Sequence, residues 1–141
     1  MSLIIAIPTP EGFVLSSDTA QAVGQFREQT SKVFRLNDRI AWSGTGDLSL
    51  VQRVQQLLTG AQDSPVSLRE IAPQLANMIK VGVKELLAAD FRTEVYLSNF
   101  NAVTQLHRAD FVFVEWSNTP TILHLNVLGS PVWVTERPFF I

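Results

Sequence analysis

Chemistry near the start of this chain would have to come from Ser2. Removal of Met1 would leave a serine whose hydroxyl and free α-amine belong to one residue. In that arrangement a terminal amine can act as base for its own side-chain nucleophile. A free α-amine titrates near about 7.7 to 8.0, which suits it to base work at neutral pH. Other reactive residue types are sparse: the chain has no cysteine and two histidines, His107 and His124. Disulfides and thiolate metal sites are thereby excluded, and two histidines are too few for a zinc cluster, so no cofactor or metal is expected. Both histidines read as structural or surface residues. Met1-Ser2-Leu3 also matches the start that an expression vector leaves, in which case Ser2 replaces the native residue, and a retained Met1 would acylate the amine.

Placing Ser2 falls to the strands that follow. Apolar runs 3–7 and 13–15 flank Pro8-Thr9-Pro10-Glu11-Gly12, a segment suited to a turn, so the first eighteen residues predict a β-hairpin with both strands buried. Such a sheet would hold a terminus that normally frays. Residues 19–31 are polar and mixed, and read as a loop with room for one short irregular strand. Runs 32–36 and 39–43, joined by Asn37-Asp38, predict a second hairpin. Gly44-Thr45-Gly46 then leads into Asp47, a good N-cap. Leu48, Leu50, Val51, Val54, Leu57 and Leu58 recur at helical spacing until Gly60.

Residues 61–66 read as a linker. Ser67-Leu68-Arg69-Glu70 has the form of a capping box, and Ile71, Leu75, Met78, Ile79, Val83, Leu86 and Leu87 mark one face of a longer helix. Pro73 lies near its start, where a missing amide costs least. Segment 94–100 suits a strand, and 101–107 a loop or a helical turn. From Asp110 the reading sharpens: strands over 111–116 and 121–127, then from Val132, are separated by turns at 117–120 and 129–131. Thr121, Leu123, Leu125 and Val127 share one face, and Ile122, His124 and Asn126 the other. Phe139-Phe140-Ile141 reads as a strand cut short or one buried in a neighbour. Trp42, Trp116 and Trp133 fall in strand runs and read as core or interface anchors.

Strands, two helices, then strands, about seven strands in all, predict an α+β layered domain rather than an alternating βαβ fold. At 141 residues and 46% apolar content the chain suffices for one core. Its net charge of -2 argues against nucleic acid as the main partner. No apolar run reaches about 18 residues and no charged n-region precedes the first strand, so a cytoplasmic protein with no membrane partner is expected.

Three segments together resemble the proteasome β-subunit family and its simpler bacterial relatives, among the N-terminal nucleophile hydrolases. Ser2-Leu3-Ile4-Ile5-Ala6-Ile7 with Glu11-Gly12-Phe13-Val14-Leu15-Ser16-Ser17-Asp18 is similar to that family's opening strands. Lys32-Val33-Phe34-Arg35-Leu36 looks like its Lys-Ile strand, and Ile40-Ala41-Trp42-Ser43-Gly44-Thr45-Gly46-Asp47 like the segment before its first helix. The match is good over 2–60 and continues by element order. It implies an αββα sandwich with Ser2 as nucleophile, Lys32 as the cation beside it, Asp18 as the partner of Lys32, and the Gly44 N–H as oxyanion donor. A nearby ammonium favours the deprotonated nucleophile and the neutral amine, and Asp18 keeps that cation charged and in place. An amide just ahead of a helix N-terminus is where negative charge is welcome.

The resemblance further implies a peptide or protein substrate, a homo-oligomeric ring and an ATPase partner. Departures accompany it: Ser2 stands for threonine, Ala20 for an arginine, and the loop before Lys32 is shorter. The sequence ends about where the family has a Gly-Ser-Gly segment. Residues 1–141 therefore read as one subunit-like domain incomplete at its C-terminus, or as a reduced relative whose open sheet another subunit covers. The leading expectation is a peptidase or amidohydrolase. Its rivals are a non-catalytic ring or scaffold subunit, favoured by Met1 and Ala20, and a small-molecule binding module built on the same sheet.

Overall fold

The computed structural model describes residues 3–18, 20–23, 26–29, 32–59, 66–90, 109–117, 119–127, 130–135 and 137–141. The expected strand at 94–100, the segment 101–107 and His107 lie outside them, as does Ser2. Ten strands and two helices are described: β1 Ile4–Thr9, β2 Gly12–Ser17, β3 Ala20–Val23, β4 Phe26–Gln29, β5 Val33–Arg35, β6 Ile40–Gly46, α1 Leu48–Thr59, α2 Leu68–Asp90, β7 Ala109–Glu115, β8 Thr121–Asn126, β9 Pro131–Thr135 and β10 Phe139–Phe140. The class is α+β, as the segregated element order requires. All strand pairs are antiparallel, in sheets ordered β10-β1-β2, β3-β4 and β5-β6-β7-β8-β9.

Alternation along β6, β7 and β8 sorts side chains into two cores. Trp42, Phe111, Phe113, Leu123 and Leu125 face the helices, where they meet Leu50, Val54, Leu58, Leu75 and Ile79. Val112, Val114 and Ile122 face the other way, against Ile4 and Ala6 of β1. Central strands of the five-stranded sheet are thus buried on both faces, which is why 111–114 reads as an unbroken apolar run. The layers are helices, five-stranded sheet, three-stranded sheet. Trp42 anchors the helix side, with its ring 4.6 Å from that of Phe34 and 5.8 Å from that of Phe113.

Several expectations are corrected. The first hairpin is buried on one face only: Ile4 and Ala6 point inward, while Leu3, Ile7 and Val14 are exposed. Its turn shrinks to Pro10-Glu11, because Pro8 and Thr9 still pair with Phe13 and Gly12. Ala20–Val23 and Phe26–Gln29 pair as antiparallel strands where a loop was expected, with Val23 opposite Phe26. Pro73 sits inside α2, beyond the first helical bond from Ile71 N–H to the Ser67 carbonyl, so it removes a bond the helix would otherwise make. The closing Phe139-Phe140 pairs with Ala6 and Ile5 of this same chain. No described helix is long and apolar enough to cross a membrane.

Candidate functional site

The hairpin β1–β2 runs in register from Thr9–Gly12 to Ile4–Ser17, which leaves Leu3 opposite Asp18 at its open end. Two bonds close that end: Asp18 N–H donates to the Leu3 carbonyl at 3.2 Å, and Leu3 N–H donates to Asp18 Oδ1 at 3.3 Å. The same carboxylate oxygen accepts from Lys32 Nζ at 3.3 Å. Lys32 immediately precedes β5 in the five-stranded sheet, so this ion pair ties the two sheets together where the chain begins. Its side chains are mostly withdrawn from water, 12% exposed for Lys32 and 30% for Asp18, so solvent weakens their attraction less than it would on an open surface.

Gly44 is related to them through the sheet register: Val33, the residue after Lys32, pairs with Ser43, the residue before Gly44. Gly44 is in a strand opposite Phe111, and not in a turn at the helix start, because β6 continues to Gly46. Helix α1 begins at Leu48 behind Asp47, whose carboxylate accepts Ser49 N–H at 2.9 Å as an N-cap. The glycine has a packing cause: a Cβ there would stand 3.0 and 3.1 Å from the two Val51 methyls and 3.3 Å from Phe111. Close approach of α1 to the sheet requires a residue without a side chain at this position.

Asp18 and Lys32 are therefore in contact, Gly44 follows the β6 residue that pairs with Val33, and Ser2, just ahead of Leu3 in the sequence, lies outside the described residues. Residue types at this end could support attack on a carbonyl, since a cation and backbone donors stabilise developing negative charge. The same ion pair would also serve simply to tie the sheets. Sequence reasoning passed over Ser43. It is fully buried, and its hydroxyl has no hydrogen-bond partner among the described residues. The only hint in the sequence was a small polar residue between Trp42 and Gly44 in an otherwise apolar strand.

His124 lies elsewhere, on β8 between the sheets, 2.8 Å from Asp110 Oδ1 and with its ring 5.5 Å from that of Phe139. Trp116 meets Phe13 edge-on, and Arg69 stacks over Trp133 at 4.6 Å. Among the described residues no group of three or more His, Asp or Glu side chains converges on a metal position. An open cleft of about 420 Å³ lies between α1, α2 and the β5–β6 turn, lined by Leu36, Leu58, Ile71, Leu75 and Met78. Its Asn37 amide oxygen already accepts Arg39 and Ile40 N–H at 2.9 and 2.8 Å.

No family model and no curated protein matches the chain. Solved structures do. Anbu, an ancestral beta-subunit, from Yersinia bercovieri superposes with a TM-score of 0.73 at 14% identity, covering 99% of this chain. The helical assembly of the Anbu complex from Pseudomonas aeruginosa gives 0.71 at 15%, and Anbu from Hyphomicrobium sp. strain MC1 gives 0.63 at 18%, again over 99%. In each case this chain spans 60% of the other chain's length. These identities carry the fold and no more. They correct the family named from sequence: the likeness runs to Anbu proteins, where the motifs had pointed to proteasome β-subunits. Short strand motifs of that kind are shared by divergent branches of one fold, so they could not separate the two.

Proposed function

We propose that this chain is an Anbu-like subunit that hydrolyses an amide bond, in a peptide or protein, through the residue exposed by removal of Met1. One observation carries the reading: Asp18 accepts both Leu3 N–H and Lys32 Nζ on a single carboxylate oxygen, at the start of β1. Leu3, which follows Ser2 in the sequence, is therefore held by the same carboxylate that holds a cation. In the proposed reaction the Ser2 hydroxyl oxygen bonds to the substrate carbonyl carbon, its proton passing to the α-amine. Collapse breaks the C–N bond, and the amine's proton goes to the departing nitrogen. Water then adds to the ester, and breaking its C–O bond releases the acid and restores Ser2. Lys32 offsets the charge that develops, and the Gly44 N–H is assigned to the carbonyl oxygen.

The same proposal treats 1–141 as one domain of a cytoplasmic homo-oligomer. The finer αββα architecture is supported by the bare outer face of the three-stranded sheet, where Leu3, Val14 and Phe140 are exposed. A second reading, assembly without catalysis, is favoured by Gly44, whose place is already explained by packing against Val51 and Phe111. Intact-mass measurement after treating Met1-processed protein with a peptide electrophile that captures N-terminal nucleophiles separates them. An adduct mapped to Ser2 supports hydrolysis; a processed chain that stays unmodified leaves only the assembly role.

A further inference from the structure

Helix α2 is held by two different sets of partners. Its first turn is fastened to the five-stranded sheet: Glu115 accepts Leu68 N–H at 2.8 Å, and the Arg69 guanidinium lies over the Trp133 ring at 4.6 Å. Ser67 closes that turn, its carbonyl accepting Glu70 and Ile71 N–H, each at 3.1 Å. Further along, the helix leans on α1. Arg53 Nε donates to Glu85 Oε2 at 3.0 Å, and Gly82 lets the Arg53 stem and Leu57 approach to 3.4 and 3.7 Å from where a Cβ would stand. Pro73 lies between the two sets and is exposed. It has no N–H to offer the Arg69 carbonyl, and its ring crowds that carbonyl, which weakens the backbone ladder at this point.

We propose that Pro73 is a hinge, about which the body of α2 swings relative to its fastened first turn. The cleft beside the helix straddles that point: Ile71 lines it on one side of Pro73, and Gln74, Leu75 and Met78 on the other. A bend at Pro73 therefore changes the cleft's width. Met78 packs on the core from the cleft wall, and its unbranched thioether follows such a swing without opening a void. The hinge involves no residue of the hydrolytic site, so it stands or falls apart from that reading.

Two measurements test it. The chain has no cysteine, so a pair of spin labels on introduced cysteines reports one distance: Arg39→Cys, exposed on the β5–β6 turn, with Asn77→Cys beyond the hinge or with Glu70→Cys before it. A hinge gives a broad distance distribution for the Asn77 pair and a narrow one for the Glu70 pair, and Pro73→Ala narrows the first to match the second. In hydrogen exchange of the unlabelled protein, the Ala72 and Gln74 amides should exchange faster than those of Ile71 and Ile79, and should slow on the order of ten-fold in Pro73→Ala. Two label pairs of the same breadth, or an Asn77 pair that keeps its breadth in Pro73→Ala, would overturn the hinge. Protection that rises evenly from Ile71 to Ile79 and ignores the substitution would do the same, leaving Pro73 a fixed feature of a rigid helix.

Discussion

Asp18 and Lys32 make the ion pair on which the proposed site depends, and each is testable by itself. Asp18→Asn retains an oxygen for Leu3 N–H but removes the charge opposite an ammonium that is only 12% exposed. The pair is partly solvated, so the expected loss of stability is modest, about 1 kcal/mol, read from urea unfolding. Adduct formation at Ser2 should fall by at least about ten-fold, because the cation is no longer held in place. Asp18→Asn that reacts like wild type would reduce the pair to a tie between sheets. Gly44 asks a different question. Gly44→Ala pushes a methyl to within 3.0 Å of Val51 and 3.3 Å of Phe111, an overpacking expected to cost about 1–3 kcal/mol. Adding Val51→Ala opens the space, so the double variant should be destabilised by less than the sum of the two singles. Simple additivity in denaturant melts would show that α1 does not set the requirement for glycine.

Elements show where the sequence was legible and where it was not. Asp47 and the apolar spacing after it specify α1 within a residue, since cap and periodicity are local. Ser67 specifies α2 in the same way, its hydroxyl accepting Glu70 N–H at 3.3 Å. The β3–β4 hairpin was illegible because Gln21, Arg27, Glu28 and Gln29 carry no alternating apolar signal. The extent of β6 was obscured by Gly44 and Gly46, which read locally as a turn, although Gly44 is there for helix packing. Of the candidate site, the Asp18–Lys32 contact was suggested only by a family resemblance, and the buried Ser43 hydroxyl was not legible at all, because an orphaned hydroxyl is a tertiary fact. One long-range device was equally hidden: buried Glu115, at the end of β7, accepts Leu68 N–H through Oε2 at 2.8 Å. It thereby caps the first turn of α2 with a negative charge, where the helix dipole welcomes one. Glu115→Ala is expected to cost about 1–3 kcal/mol, with faster amide exchange at Leu68 and Arg69. Glu115→Gln, which keeps an acceptor, should lose less than about 1 kcal/mol. Equal losses for the two variants would show that side-chain volume, and not the bond, is what matters.

At the scale of the whole molecule the five-stranded sheet is the shared wall of both cores. β7 sends Phe111 and Phe113 to the helices and Val112 and Val114 to the three-stranded sheet, all buried. Neither core can lose its packing without loosening the strands that line the other, because one strand's backbone carries both sets. Unfolding should therefore be a single transition: tryptophan fluorescence, which includes Trp42 on the helix side, and far-UV circular dichroism should change together. Ile122, 1% exposed on the side away from the helices, provides the sharper test. Ile122→Ala deletes apolar contacts between the sheets and is expected to cost about 2–5 kcal/mol, yet it touches nothing on the helix side. If the cores are coupled through β7 and β8, both signals shift to lower denaturant by the same amount and remain superimposed. A variant in which circular dichroism begins to fall while the Trp42 environment is still native would show that the three-stranded sheet, and with it the Asp18–Lys32 contact, opens as a separate unit.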